Sequence, residues 1–251
     1  MMGRTHAVSG IAAGLMLFGD ASLAHGPIGI GPVHLAAGTI RLGLGLGGMS
    51  APYTALMCLV LACTALLPDL DAPSSLASTS LPPVTTRVSG CLAGPGHRTV
   101  THTGAGIVAG FVLTAVPCLW AAAGGGVPVR PGNGLVLGLC AAMGARALGV
   151  GPRAGLLLWG AAVSGFLVGA AAPATAWWFM PVAVAVGMWV HRLGDSLTTR
   201  GVENLLWPLI RRPRLCLPVL GDTGSAREQI FAGVLAVYCA WCGIDLLLAA
   251  V

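Results

Sequence analysis

The chain has 251 residues, of which 56% are hydrophobic and only 8% charged; ordinary soluble domains carry roughly 25% charged residues. A water-soluble globule of this size needs far more polar surface, and a disordered chain needs low hydrophobicity with high charge, so both are excluded. The formal net charge of +5 rests on arginine alone and is too small and scattered for a nucleic-acid binder, which leaves a polytopic membrane protein.

A helix needs about 20 apolar residues to cross a hydrocarbon core of roughly 30 Å, and it satisfies its backbone polar groups within the segment. In chain order the sequence predicts seven such segments, at 7–24, 51–67, 102–122, 132–150, 153–172, 175–190 and 228–251. The expected fold is an all-α, polytopic membrane helix bundle, a single integral membrane domain over 1–251. Arg4, an apolar run to Phe18 and Ser22-Leu23-Ala24 also have the form of a secretory signal, whose cleavage would remove His6. Residues 25–50 are Gly-rich. Gly43, Gly45 and Gly48 match G-x-G-x-x-G without the strand–turn–helix context of a dinucleotide site. Residues 72–96 are rich in Ser, Thr and Pro and read as a flexible loop. Residues 196–226 read as an interfacial segment, in which Trp207 and leucines accompany Arg211, Arg212 and Arg214 as in elements lying on anionic headgroups. Cys239 and Cys242 form a C-x-x-C inside an apolar helix, with no second pair, and read as buried thiols.

Seven crossings make the connections alternate between two sides. One side then holds or borders Arg4, Arg87, Arg98, Arg146, Arg153, Arg192, Arg200, Arg211, Arg212, Arg214 and Arg227; the other holds Arg41 and Arg130. The positive-inside rule makes the first side cytoplasmic, with the N-terminus inside and the C-terminus outside.

The histidines and aspartates sort the same way. His6, Asp69, Asp71, His97, His102, His191 and Asp195 fall at cytoplasmic helix ends or beside them, whereas His25 and His34 fall outside. Polar groups near membrane depth are costly and mark function. His191 and Asp195 are i, i+4 and share a helix face, which Thr198 continues. Asp69 and Asp71 follow Leu67-Pro68, where an extended segment would project both to one side and let them bridge cations. His97 follows the turn Gly94-Pro95-Gly96, and His102 opens the next helix. An internal echo, seven identities in thirteen between 5–17 and 101–113, places Thr-His at two cytoplasmic helix starts. Thr5 and Thr101 are expected as N-caps, and Gly10, Gly14, Gly106 and Gly110 as close-packing faces. Mixed imidazole and carboxylate ligands favour Zn, then Mn or Fe, over Ca or Mg. Seven ligands exceed the need of one tetrahedral ion, so two or more ions fit.

Thr5-His6, Leu66-Leu67-Pro68-Asp69-Leu70-Asp71, His97-Arg98-Thr99-Val100-Thr101-His102 and His191-Arg192-Leu193-Gly194-Asp195-Ser196-Leu197-Thr198, with Gly201 and Pro208, resemble the YdjM-type membrane-bound metal-dependent hydrolases of bacteria. Through His191-x-x-x-Asp195 the sequence is also distantly similar to zinc-dependent phospholipase C and P1-type nucleases. The resemblance implies an inner-membrane protein in which the seven histidines and aspartates ligate metal. Thr99 departs from the glycine that the family places after His-Arg. The resemblance implies a hydrolase; the expected reaction is hydrolysis of a phosphoester at the cytoplasmic membrane surface, with a lipid or lipid-linked substrate favoured because the site lies at headgroup depth. Asp69 or Glu203 is the candidate general base, and Arg98 and Arg192, beside ligands, are candidate holders of phosphate oxygens or simply topology signals. The alternatives are a transporter with a metal site, which would place charges near the midplane, and a non-catalytic membrane protein with a closed structural metal.

Overall fold

The computed structural model describes residues 1–25, 28–30, 33–35, 38–120, 122–124, 127–171, 178–210 and 214–248. Among these lie eight α-helices: α1 (Gly3–Phe18), α2 (Ala51–Thr64), α3 (Val84–Leu92), α4 (Gly104–Leu119), α5 (Pro131–Ala147), α6 (Gly155–Ala171), α7 (Phe179–Ser196) and α8 (Ala226–Leu248). Seven overlap the apolar segments expected from the sequence. The eighth, α3, forms within 72–96, where the sequence reads as a loop; Ser78, Ser80, Thr85 and Ser89 there are buried. The expected helix start at 175, the connection 173–174, Arg211 and Arg212, and the chain end from 249 lie outside the described residues.

Among the described residues, two helices are by length and composition long and apolar enough to cross a bilayer, Ala51–Asp71 and Ala226–Leu248. α4 and α6 are apolar but shorter, at 16 and 17 residues. Such lengths give a rise of about 24–26 Å, less than the roughly 30 Å of a typical core. Breaks at both ends of α4 set its span: Thr103 caps its start by accepting the Gly106 N–H at 3.1 Å, and Pro117 sits in its last turn.

Three two-stranded antiparallel pairs, not foreseen from the Gly-rich sequence, join helices. β1 (Ser22–His25) pairs with β4 (Gly38–Arg41), Ser22 opposite Arg41, and encloses β2 (Ile28–Ile30) and β3 (Val33–Leu35), which pair with each other. β5 (Ala122–Gly124) pairs with β6 (Val127–Val129) between α4 and α5.

α1 packs on α2 and α8, α4 on α7, α2 on α7 and α5 on α6. The main core gathers Met57, Val60 and Leu61 of α2, Leu137, Cys140 and Met143 of α5, and Met180 and Ala183 of α7. Outward faces are apolar too: Leu113 and Val116 on α4, Leu156 and Leu167 on α6, and Ile230 and Val237 on α8 are exposed. A surface of that kind needs a hydrocarbon solvent.

Close approach depends on glycine at the α1–α2 crossing. A Cβ at Gly10 would fall against the Leu61 carbonyl and 2.9 Å from Ala62 Cα, whereas one at Gly90 on α3 would meet nothing within 4 Å. Gly10→Ala is therefore expected to destabilise by about 1–3 kcal/mol through overpacking. Gly90→Ala is expected to stabilise by about 0.5–1 kcal/mol, as alanine does in a helix interior. Thermal melting of the two variants in detergent checks the opposite signs.

Candidate metal centre

Four chain regions converge at one end of the bundle. α1 brings His6 in its first turns, and the 3₁₀ turn Leu67–Asp71 at the end of α2 brings two carboxylates. The 97–102 segment before α4 brings two imidazoles, and the last turns of α7 bring His191 and Asp195. Each lies at the start or the end of a helix.

All seven expected ligands belong to the cluster. Three sets of ligand atoms lie within 4.8 Å of one another: His6, His191 and Asp195; Asp69, His102 and His191; Asp69, Asp71 and His97. His191 links the first two sets and Asp69 the last two. The aspartates do not project from an extended segment as expected; proline after Leu67 tightens the chain into a 3₁₀ turn instead. The turn sends Asp71 Oδ1 to His97 Nδ1 at 2.6 Å, and Asp69 Oδ1 to within 3.6 Å of His191 Nε2 and 4.0 Å of His97 Nε2.

The imidazole tautomers follow from their partners. His191 Nδ1 donates to the Ala65 carbonyl at 2.6 Å, so the neutral ring has its lone pair on Nε2. The Thr101 hydroxyl donates to Asp71 Oδ2 at 2.8 Å, which leaves its oxygen to accept from His102 Nδ1 at 3.0 Å. When neutral, His102 therefore also directs a lone pair from Nε2. The two Nε2 atoms face each other at 3.0 Å. Two lone pairs at that separation repel unless a cation lies between or beside them. Asp195 Oδ2 lies 3.6 and 3.7 Å from the two nitrogens, and Asp69 Oδ1 lies 3.6 Å from His191 Nε2, so carboxylate oxygens flank the pair. Beneath them His6 stacks on His191 with ring centroids 3.6 Å apart, and His6 Nδ1 is buried with no hydrogen-bond partner among the described residues. The donor set and the orphaned nitrogen fit a metal.

Arg98 is the surprise. Its guanidinium closes on Asp195, with Nε 2.9 Å from Oδ2 and Nη2 3.1 Å from Oδ1, while Nη1 donates to Thr198 Oγ1 and the Gly201 carbonyl. Its backbone N–H donates to Asp71 Oδ2 at 3.0 Å. Serving both aspartates forces Arg98 to φ +67°, the one left-handed non-glycine among the described residues, at a cost of about 1–2 kcal/mol. The left-handed position falls on Arg98, and Thr99, at φ −106°, stays outside that region.

Several expectations are corrected. Arg192 is buried and donates to the carbonyls of His102 and Glu203, so it braces the loop and does not face an open site. The Glu203 carboxylate is held by Arg214 at 2.8 and 2.6 Å, away from the ligand cluster, and is not placed as a general base. Thr5 lies inside α1, and Thr101 serves Asp71. The cap of α4 falls instead to Thr103. The echo's glycines do pack closely: Gly10 and Gly14 on α2, Gly110 on Met188 of α7. Two further partners had no signal in the sequence. The Met1 amino group donates to Asp195 Oδ1, and the Met2 N–H to Glu228 at 2.6 Å.

The model of the YdjM inner membrane protein family matches residues 1–250. The chain belongs to that family. No curated protein and no solved structure matches it. YdjM membership makes this an inner membrane protein, in keeping with the apolar outer faces.

Proposed function

We propose that the protein is a metal-dependent hydrolase that cleaves a phosphoester of a lipid or lipid-linked molecule at the cytoplasmic membrane surface. One observation carries the reading: the ligand cluster is closed on one side and open on the other. His6, His102, His191 and Asp195 are buried, while Asp69 and His97, with side chains 19% and 39% exposed, line a cleft of about 400 Å³. Structural metal sites are closed and catalytic ones keep an open position. The placement of all ligands at helix ends disfavours a transporter, whose charges sit near the midplane. The eleven-to-two distribution of arginines supports the cytoplasmic side and the seven-crossing topology.

His6, Asp69, Asp71, His97, His102, His191 and Asp195 would hold the divalent ions, zinc first among them. A bound ion of this kind supplies Lewis acidity and lowers the pKa of water. Within the chain, Asp71 orients His97 and His102, the Ala65 carbonyl orients His191, and Arg98 fixes Asp195. Such outer partners set ligand geometry and basicity. Asp69, which lines the cleft, is our candidate to take a proton from water. The His191–Asp195 helix element is the ground for relating the chain to zinc-dependent phospholipase C and P1-type nucleases.

Purified protein is expected to hydrolyse a chromogenic phosphodiester or a short-chain phospholipid. Chelator should abolish turnover, and His191→Ala should lower it by about 100-fold or more with retained folding. Absence of turnover, together with metal uptake into proteoliposomes, would favour the transporter.

A further inference from the structure

The arginines beside ligands, Arg98 and Arg192, are committed to Asp195 and to backbone carbonyls. Arg200 is not. It is exposed, lines the same cleft as Asp69, His97 and Ser74, and makes no hydrogen bond or ion pair among the described residues. A second pocket of about 380 Å³ shares Asp69 and Ser75 with that cleft, and its wall is largely apolar, with Met2, Leu66, Leu76 and Ala77. A polar cleft lined by Arg200, His97, Asp69 and Asp222 and an apolar pocket therefore meet at Asp69 and Ser75.

We infer that Arg200 holds the anionic group of the substrate and that the adjoining pocket takes the hydrocarbon of the same molecule, so the substrate is an anionic amphiphile, a phosphoester with an acyl or alkyl chain. This rests on the proposed hydrolase only in calling the bound molecule a substrate. A guanidinium free to turn its planar fork toward the cleft matches phosphate oxygens two at a time. The apolar pocket rewards each methylene removed from water. A purely polar phosphoester would fill the cleft and leave the pocket unused.

The test is calorimetric titration of the detergent-purified protein with glycerol 3-phosphate and with dihexanoyl phosphatidic acid below its micelle concentration. The lipid is expected to bind at least about tenfold more tightly. Arg200→Gln should weaken both probes about tenfold, and Arg200→Lys should restore part of the loss. Arg200 is exposed, so these variants are expected to melt as the wild type does. Unchanged affinity in Arg200→Gln would overturn the assignment of Arg200. Equal affinity of the two probes would overturn the amphiphile. Intact binding of both probes without any metal-dependent turnover would sink the hydrolase and leave the binding site standing.

Discussion

Asp195→Asn is expected to strip the centre of metal and to destabilise the protein by about 3–5 kcal/mol, the cost of removing one partner of a buried ion pair. The substitution keeps the shape of the side chain and deletes its charge. Asp195 receives Arg98 at 2.9 and 3.1 Å, His6 at 3.2 Å and the Met1 amino group, and lies within 3.7 Å of two further imidazole nitrogens. The Arg98 side chain is 11% exposed, so water does little to replace the lost carboxylate. The strain at Arg98 also loses its compensation, since the left-handed backbone persists only while both aspartates hold it. Metal analysis and thermal melting in detergent read the two effects. A variant that keeps wild-type metal content would remove Asp195 from the ligand set.

Withdrawal of metal from the wild type should have the next largest effect. The Nε2 atoms of His102 and His191 face each other at 3.0 Å while both Nδ1 atoms are engaged elsewhere, and His6 Nδ1 is buried without a partner among the described residues. A cation relieves the repulsion between the neutral rings in the folded state and has no preformed site in the unfolded chain, so binding energy becomes folding energy. At a free ion concentration a thousand times Kd, the gain is about 4 kcal/mol. Chelator should lower the melting temperature of the wild type and leave that of His102→Gln nearly unchanged. Equal melting of the wild type with and without chelator would mean that a shared proton, not a metal ion, bridges the two rings.

The seven clustered histidines and aspartates were legible in the sequence because the expected alternation of apolar segments puts the start of α1, the end of α2, the start of α4 and the end of α7 on one side, and the structure brings those four ends together. Hydropathy reports the crossings, and the polar residues at their ends then have few places to go. What that logic lacks is side-chain direction. Arg98 and Arg192 share adjacency to a ligand, yet one clamps Asp195 while the other braces carbonyls, and neither is free for substrate. Glu203 looked available until Arg214 was seen to hold it. Thr5 and Thr101 carried a capping signature that Thr103 fulfils, because the 3₁₀ turn Val100–His102 delays the helix by one step. The helix α3 was hidden by the local preference of Ser, Thr and Pro for turns, which packing of Thr85 and Ser89 into the interior overrides. The antiparallel pairs were hidden because short Gly-rich strands lack the alternation that marks a half-buried sheet.

X-ray absorption at the metal edge of protein purified in detergent without chelator tests the central claim most directly, since it reports occupancy and donor atoms together. The geometry predicts at least one divalent ion per chain, surrounded by imidazole nitrogen and carboxylate oxygen with no sulfur. Less than one ion per chain, or a coordination sphere containing cysteine sulfur, would contradict it.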